Sequence, residues 1–210
     1  MKKLLMTALI AALLILPLGS VALADDLEAS QPETQTAEFT HGEVPAETGA
    51  ADAMNPAVHA VLLSMLNHNA ARFDTADTLL TWESLYNMLS LYGQMDDRSE
   101  YQGELLVLPA ETVMDYAAVL FPGFDAAAPL PEGLADRMVY DAGSGCYLIT
   151  CGDDSLSQPQ FNSIETADGR LYIDGSLVYL VDHSTLAQFQ VVLSPRDNMF
   201  GYTIDSLELL

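Results

Sequence analysis

Residues 161–209, FNSIETADGRLYIDGSLVYLVDHSTLAQFQVVLSPRDNMFGYTIDSLEL, decide the fold. Apolar and polar residues alternate through most of this stretch, the period of a strand with one buried face. Ile164 leads to Asp168-Gly169, a pair that supplies the positive φ angles of a tight hairpin, and Leu171 and Ile173 follow. Asp174-Gly175 predicts a second hairpin before the apolar run from Leu177 to Val181. Farther on, Phe189, Val191 and Leu193 share one face, with Gln188 and Gln190 on the other. Phe200, Tyr202 and Ile204 repeat the pattern. Its phase slips at Asp205-Ser206 before Leu207 and Leu209, which predicts a β-bulge. The expectation is an antiparallel β-meander whose apolar last residues are fixed in the sheet.

Working outward, the period changes from two to 3.6. Asn55-Pro56 reads as an N-cap followed by proline at the first helical position, with Val58, Val61, Leu62, Met65 and Leu66 at helical spacing to about residue 71. A second helix begins near Asp74-Thr75, carries Leu79, Trp82, Leu85, Tyr86, Leu89 and Tyr92, and closes at Gly93. After a polar connector, residues 104–108 form a short strand. Pro109 and Glu111 open a third helix with Val113, Tyr116, Ala117, Leu120 and Phe121 on one side, and Pro122-Gly123 stops it. Residues 124–133, rich in Ala and Pro, read as a surface loop, and 137–141 and 146–151 as strands joined by a hairpin at 142–145.

The fold class is therefore α+β, with about three N-terminal helices packed on one face of a curved antiparallel β-meander or partial barrel. This order of elements is similar to cystatin/NTF2-like folds and to small secreted inhibitor domains of Gram-positive bacteria. The similarity is one of plan and carries no functional residues across.

Ahead of the helices the composition shifts twice. Residues 1–24 have the parts of a signal peptide: Lys2 and Lys3, an apolar run from Leu4 to Leu16, and Ala22-Leu23-Ala24 as a small-x-small cleavage site. Residues 25–53 hold eight acids and no bases, and read as a disordered acidic tether that cannot bury enough apolar surface to offset its ordering entropy. Residues 54–210 are left as a single globular domain. The expected localisation is secreted, extracellular or at the cell envelope, with no stable membrane insertion after signal cleavage.

Removal of the signal peptide sharpens the charge, because it holds two of the 7 basic residues and none of the 30 acidic ones. Five arginines then face 30 acids, a formal charge of −25, and no lysine remains. Such a field repels nucleic acid and anionic lipid and favours cations and basic proteins. The missing lysine also excludes Schiff-base, Ser-Lys and P-loop chemistry from the mature chain.

The side chains that suggest chemistry are scattered. Cys146 and Cys151 stand five residues apart in one predicted strand, about 16 Å at the usual rise, which is beyond disulfide reach and predicts two partly buried thiols. Tyr147-Leu148-Ile149-Thr150-Cys151 resembles the Thr-Leu-x-Thr-Cys strand of sortases, the secreted cysteine transpeptidases, and the resemblance implies a nucleophilic role for Cys151. Sortases also use an upstream barrel histidine and a nearby downstream arginine, whereas here the preceding histidine is His68, on a helix, and the next arginine is Arg170. His183 lies between Asp182 and Ser184 in a turn, the other catalytic candidate, although consecutive residues do not build a relay. Asp153 and Asp154, with Asp168, Asp174 and Asp182 on neighbouring loops, are candidate oxygen ligands for Ca²⁺, the one cofactor the sequence suggests. Trp82 and Tyr86 are candidate ligand-stacking residues, although an aromatic stripe at helical spacing is ordinarily core. His59 and His68, nine apart on one helix, read as surface residues.

Two functions compete. The first is a secreted non-catalytic binding or inhibitory module, whose partner is an extracellular protein or envelope component of basic character. The alternative is a cell-envelope hydrolase or transferase that uses Cys151, or a carboxylate pair, in a cleft between the helices and the sheet.

Overall fold

A computed structural model describes residues 46–120, 130–152 and 155–210. In chain order the elements are α1 (Ala46–Asp52), α2 (Asn55–His68), α3 (Thr78–Tyr92), β1 (Glu100–Gln102), β2 (Leu105–Pro109), α4 (Ala110–Leu120), β3 (Met138–Asp141), β4 (Cys146–Thr150), β5 (Ser157–Ala167), β6 (Arg170–Tyr179), β7 (Thr185–Pro195) and β8 (Tyr202–Leu209). They form a mixed helix and sheet fold with two antiparallel four-stranded sheets, ordered β1-β2-β4-β3 and β5-β6-β7-β8.

The second sheet is the expected meander, and its details follow from single residues. Asp168 and Gly169 both take positive φ, 52° and 75°, and reverse the chain between β5 and β6. Opposite Asp205 the register jumps from Val192↔Ser206 to Leu193↔Ile204, so Asp205 is the extra residue of the expected bulge.

Asp174-Gly175 does not turn the chain. Both residues lie inside β6, where Gly175 stands across from Phe161 on one side and Phe189 on the other. The two rings meet edge to face, with centroids 6.3 Å apart, and the Phe189 ring fills the space a side chain at 175 would take. Glycine is there to admit an aromatic pair, and Asp-Gly mimics a turn signal only in sequence. The reversal between β6 and β7 comes five residues later, where Tyr179 and His183 amides bond to Ser184 and Tyr179 carbonyls.

The strands of residues 138–150 belong to the other sheet, where β4 lies between β2 and β3. β1, in the stretch expected as a polar connector, is a wholly exposed edge strand. The helices are not all N-terminal to the strands either, because α4 follows β1 and β2. Residues 46–52, expected to belong to the tether, are helical, and the burial of Ala51 and Met54 provides the apolar contact that composition hid. The expected signal peptide and the expected tether as far as residue 45 lie outside the described residues, as do residues 121–129.

Helix starts differ by a few residues for local reasons. α3 begins at Thr78 because the Asp77 carboxylate accepts the Leu79 and Leu80 amides, at 3.0 and 3.1 Å. In α2 the cap position is Met54, and Asn55 is already helical.

One apolar core joins the helices to both sheets, with Trp82, Leu85, Met65, Leu106, Leu120, Phe189 and Leu207 all within 2 % exposure. The edge of β8 is covered by the segment after α2: Phe73 N–H donates to the Leu207 carbonyl, and Leu209 N–H to that of Ala71, each at 2.8 Å. Thr203 Oγ1 donates to the Val119 carbonyl at 3.0 Å, which pins α4 to the same strand. Among the described residues no helix is long and apolar enough to cross a membrane.

Candidate functional site

Two places concentrate polar groups that the fold leaves accessible. The first is the solvent face of the meander. Its rows follow the strand register, with Ser163, Asp174, Gln190 and Glu208 in one row and Glu165, Tyr172, Val192 and Ser206 in the next. The Asp174 carboxylate accepts Ser163 Oγ at 3.0 Å and Gln190 Nε2 at 2.8 Å, both neutral donors that fix its orientation without cancelling its charge. Glu165, Tyr172, Asp174, Gln190 and Val192 line a concavity of about 370 Å³. Among the described residues neither Glu165 nor Asp174 has an ion-pair partner. The arginines near this face are engaged at its borders, Arg170 with Asp205 at 3.5 Å and Arg72 with Glu208 at 3.0 Å.

The second place lies between α2, the end of α3 and the start of β5, and it overturns the expectation for His59. This residue is 1 % exposed, and its ring joins three elements. Nδ1 lies 2.6 Å from Tyr92 Oη, and Nε2 lies 3.2 Å from both Ser157 Oγ and Ser155 Oγ. Burial lowers its pKa to about 4, so the imidazole is neutral at physiological pH, and burial pushes the Tyr92 phenol up. A cavity of about 230 Å³ opens onto this cluster and is lined as well by Leu91, Gln158 and Leu180. Helical periodicity places His59 beside Val58 and Leu62 but gives no hint of serines almost a hundred residues away.

His68 is engaged too. Its Nε2 lies 2.8 Å from Glu83 Oε2, while Asn67 Nδ2 donates to Glu83 Oε1 at 3.2 Å. The Arg137 guanidinium approaches Glu83 at 3.9 Å and covers the Tyr86 ring, 4.5 Å from its centroid. Tyr86 also donates its hydroxyl to the Thr150 carbonyl at 2.8 Å. One face of the Tyr86 ring is thus covered by a cation, and the residue is 7 % exposed. Trp82, 1 % exposed, belongs to the apolar core, so both aromatic candidates are buried.

Cys151 follows β4, and both cysteines are free. Burial raises the Cys151 thiol pKa, and the neighbouring Tyr101 phenol only partly opposes the rise. Among the described residues the titratable groups that act on the thiol are tyrosines and not an imidazole. His183 sits exposed in the β6–β7 turn with φ of 61°, and the hydrogen bonds there are those of the turn, including Ser184 N–H to Asp182 Oδ1 at 2.9 Å. Asp153 and Asp154 lie outside the described residues. Asp168 and Asp182 serve turns at opposite ends of β6, and among the described residues no group of three or more His, Cys, Asp or Glu side chains is placed to hold a metal.

The chain matches no family model, no curated protein and no solved structure.

Proposed function

We propose that this chain is a secreted, non-catalytic binding or inhibitory module, and that the solvent face of the meander receives a basic segment of an extracellular protein or envelope component. The observation that carries the reading is the pair Asp174 and Glu165, two carboxylates without a cation of their own, set in a concavity beside the exposed ring of Tyr172. A lysine or arginine side chain of a partner would meet both a charge and an aromatic face there. The formal charge of −25 expected for the mature chain adds long-range attraction to the same class of partner. Helices on an antiparallel sheet, in the manner of a cystatin/NTF2-like plan, suit such a role because among the described residues the outer face of the sheet is exposed.

The test uses neutralised variants. The full chain is immobilised and exposed to envelope and culture-supernatant proteins at low salt, beside a variant with Asp174→Asn and Glu165→Gln. A control carries Glu111→Gln and Glu132→Gln, which removes the same charge elsewhere. A partner retained by the wild type and the control but lost by the first variant supports the reading. Equal loss in both variants reduces the attraction to bulk charge and sinks the assignment to this face.

A further inference from the structure

An antiparallel strand with one face in water alternates apolar and polar residues. β2 does not, because Leu105, Val107 and Pro109 are as apolar as Leu106 and Leu108 between them. Leu106 and Leu108 enter the core, as do Tyr147 and Ile149 of β4 and Met138 of β3. The alternate residues point to the opposite face. There the register sets Val107 across from Leu148, Leu148 across from Val139, and Pro109 across from Cys146, with Leu105 next on β2. None of these six belongs to the apolar core of the described residues or to the side chains packed against it. Val107 lies in the middle, between Leu105 and Pro109 along its strand, and is 7 % exposed, whereas Val139 at the margin is 47 % exposed. The first sheet therefore has a second apolar face.

Size and charge narrow what fits it. Strand spacing and rise per residue give a patch roughly 10 Å across β2, β4 and β3 and roughly 13 Å along β2. This is about the width of one α-helix and the length of two to three of its turns. An added strand would instead join an edge and leave the face bare. The border is acidic: Glu100 lies across from Val107, Glu104 stands in the turn before Leu105, and Asp141 lies across from Cys146. Among the described residues none of the three has an ion-pair partner. Asp141 accepts only the neutral donors of Gly143 and Ser144, and the nearby arginines are engaged elsewhere, Arg98 with Asp96 and Asp115 and Arg137 with Glu83. A second copy would set these acids against themselves, and an anionic lipid surface would be repelled as well.

We propose that the outer face of the first sheet docks an amphipathic α-helix of a basic partner protein. Aliphatic residues at i, i+3, i+4 and i+7 of that helix cover Val107, Leu148 and Val139, and its flanking lysine or arginine side chains lie along Glu100, Glu104 and Asp141. The face is on a different sheet from the concavity at Asp174, so either site can fail without the other.

The purified full chain, labelled with ¹⁵N and ¹³C, is titrated with an amidated peptide of leucine and lysine, about four helical turns long, whose leucines recur at helical spacing. Saturable NMR shifts centred on β2, β3 and β4 are expected, with a dissociation constant on the order of 100 µM for so small a contact. Val139→Asp, a change at an exposed position, should weaken binding about tenfold with unchanged melting temperature. Glu100→Gln with Glu104→Gln should weaken it several-fold at low salt. Asp174→Asn with Glu165→Gln, which removes the same charge from the other sheet, should leave it unchanged. The proposal is overturned if no saturable shift appears, if the shifts fall on the meander, or if Val139→Asp binds normally. Equal binding of a peptide with glutamate for lysine, or of one that alternates leucine and lysine at the period of a strand, overturns it as well. Shifts of Val107 and Leu148 that vanish on dilution of the protein alone would give the face to a second copy, and nuclear Overhauser contacts from these residues to 1–45 or 121–129 would give it to the chain itself; both outcomes overturn the proposal.

Discussion

Phe189 occupies the space that any side chain at residue 175 would need: a Cβ on Gly175 would lie 2.2 Å from Phe189 Cζ, 2.7 Å from Cε2 and 2.8 Å from the Gln160 carbonyl oxygen. The Phe189 ring could swing away, but the Gln160 carbonyl belongs to the paired strand β5 and could move only with it. Gly175→Ala should therefore destabilise the fold by about 2–3 kcal/mol, overpacking outweighing the usual strand preference for alanine. Urea denaturation measures this, and adding Phe189→Leu should recover part of the loss. Wild-type stability in Gly175→Ala would show that the two strands separate freely.

The same pair shows where sequence reading stops. The period-two pattern locates the strands of the meander but divides β6 in two at Asp174-Gly175, and the slip at Asp205 is legible because a bulge changes the phase of apolar residues. Asp174-Gly175 is misleading because a glycine demanded by a cross-strand aromatic pair looks like one demanded by positive φ. The division into two sheets is invisible because β2 and β4 pair across α4 and the 121–137 segment, a long-range choice that no local period records.

Asp77 fixes the start of α3 through its bonds to the Leu79 and Leu80 amides. Asp77→Ala should cost about 1 kcal/mol, and Asp77→Asn much less, since asparagine caps nearly as well. Equal losses in thermal melts of the two variants would place the effect in charge and not in the cap.

A hydrolase or transferase route through Cys151 needs a thiolate at neutral pH, and burial moves this thiol the wrong way. Alkylation of Cys151 by iodoacetamide at pH 7.5, followed residue by residue with mass spectrometry, should be slower than that of an unstructured peptide cysteine. Labelling faster than the peptide would restore the sortase-like reading of residues 147–151.

The candidate site was less legible than the fold because its members are distant in sequence and ordinary in type. His59, Tyr92 and Ser155 lie on α2, α3 and the approach to β5, and only folding joins them. The acidic face was half legible. The sequence makes Asp174 a candidate loop ligand for Ca²⁺, yet its neighbours Ser163 and Gln190 are set by a register that single-sequence reading does not fix.

His59 should make stability pH-dependent in a defined direction. Its folded pKa is lowered from 6.5 to about 4, so between those values the unfolded chain binds the proton more readily than the folded one. The contribution is complete above pH 6.5, shrinks as pH falls through the window and levels off below about 4. A shift of this size is worth about 3 kcal/mol in full, of which about 2 kcal/mol should be lost between pH 7.5 and pH 5. That range lies above most carboxylate titration, so the acids contribute little to the slope. Urea denaturation of the wild type and of His59→Gln at the two pH values measures it. The variant should be less stable at pH 7.5, having lost its bonds to Tyr92 and Ser157, but should lose less on acidification. Parallel losses in the two proteins would assign the acid sensitivity to groups other than His59.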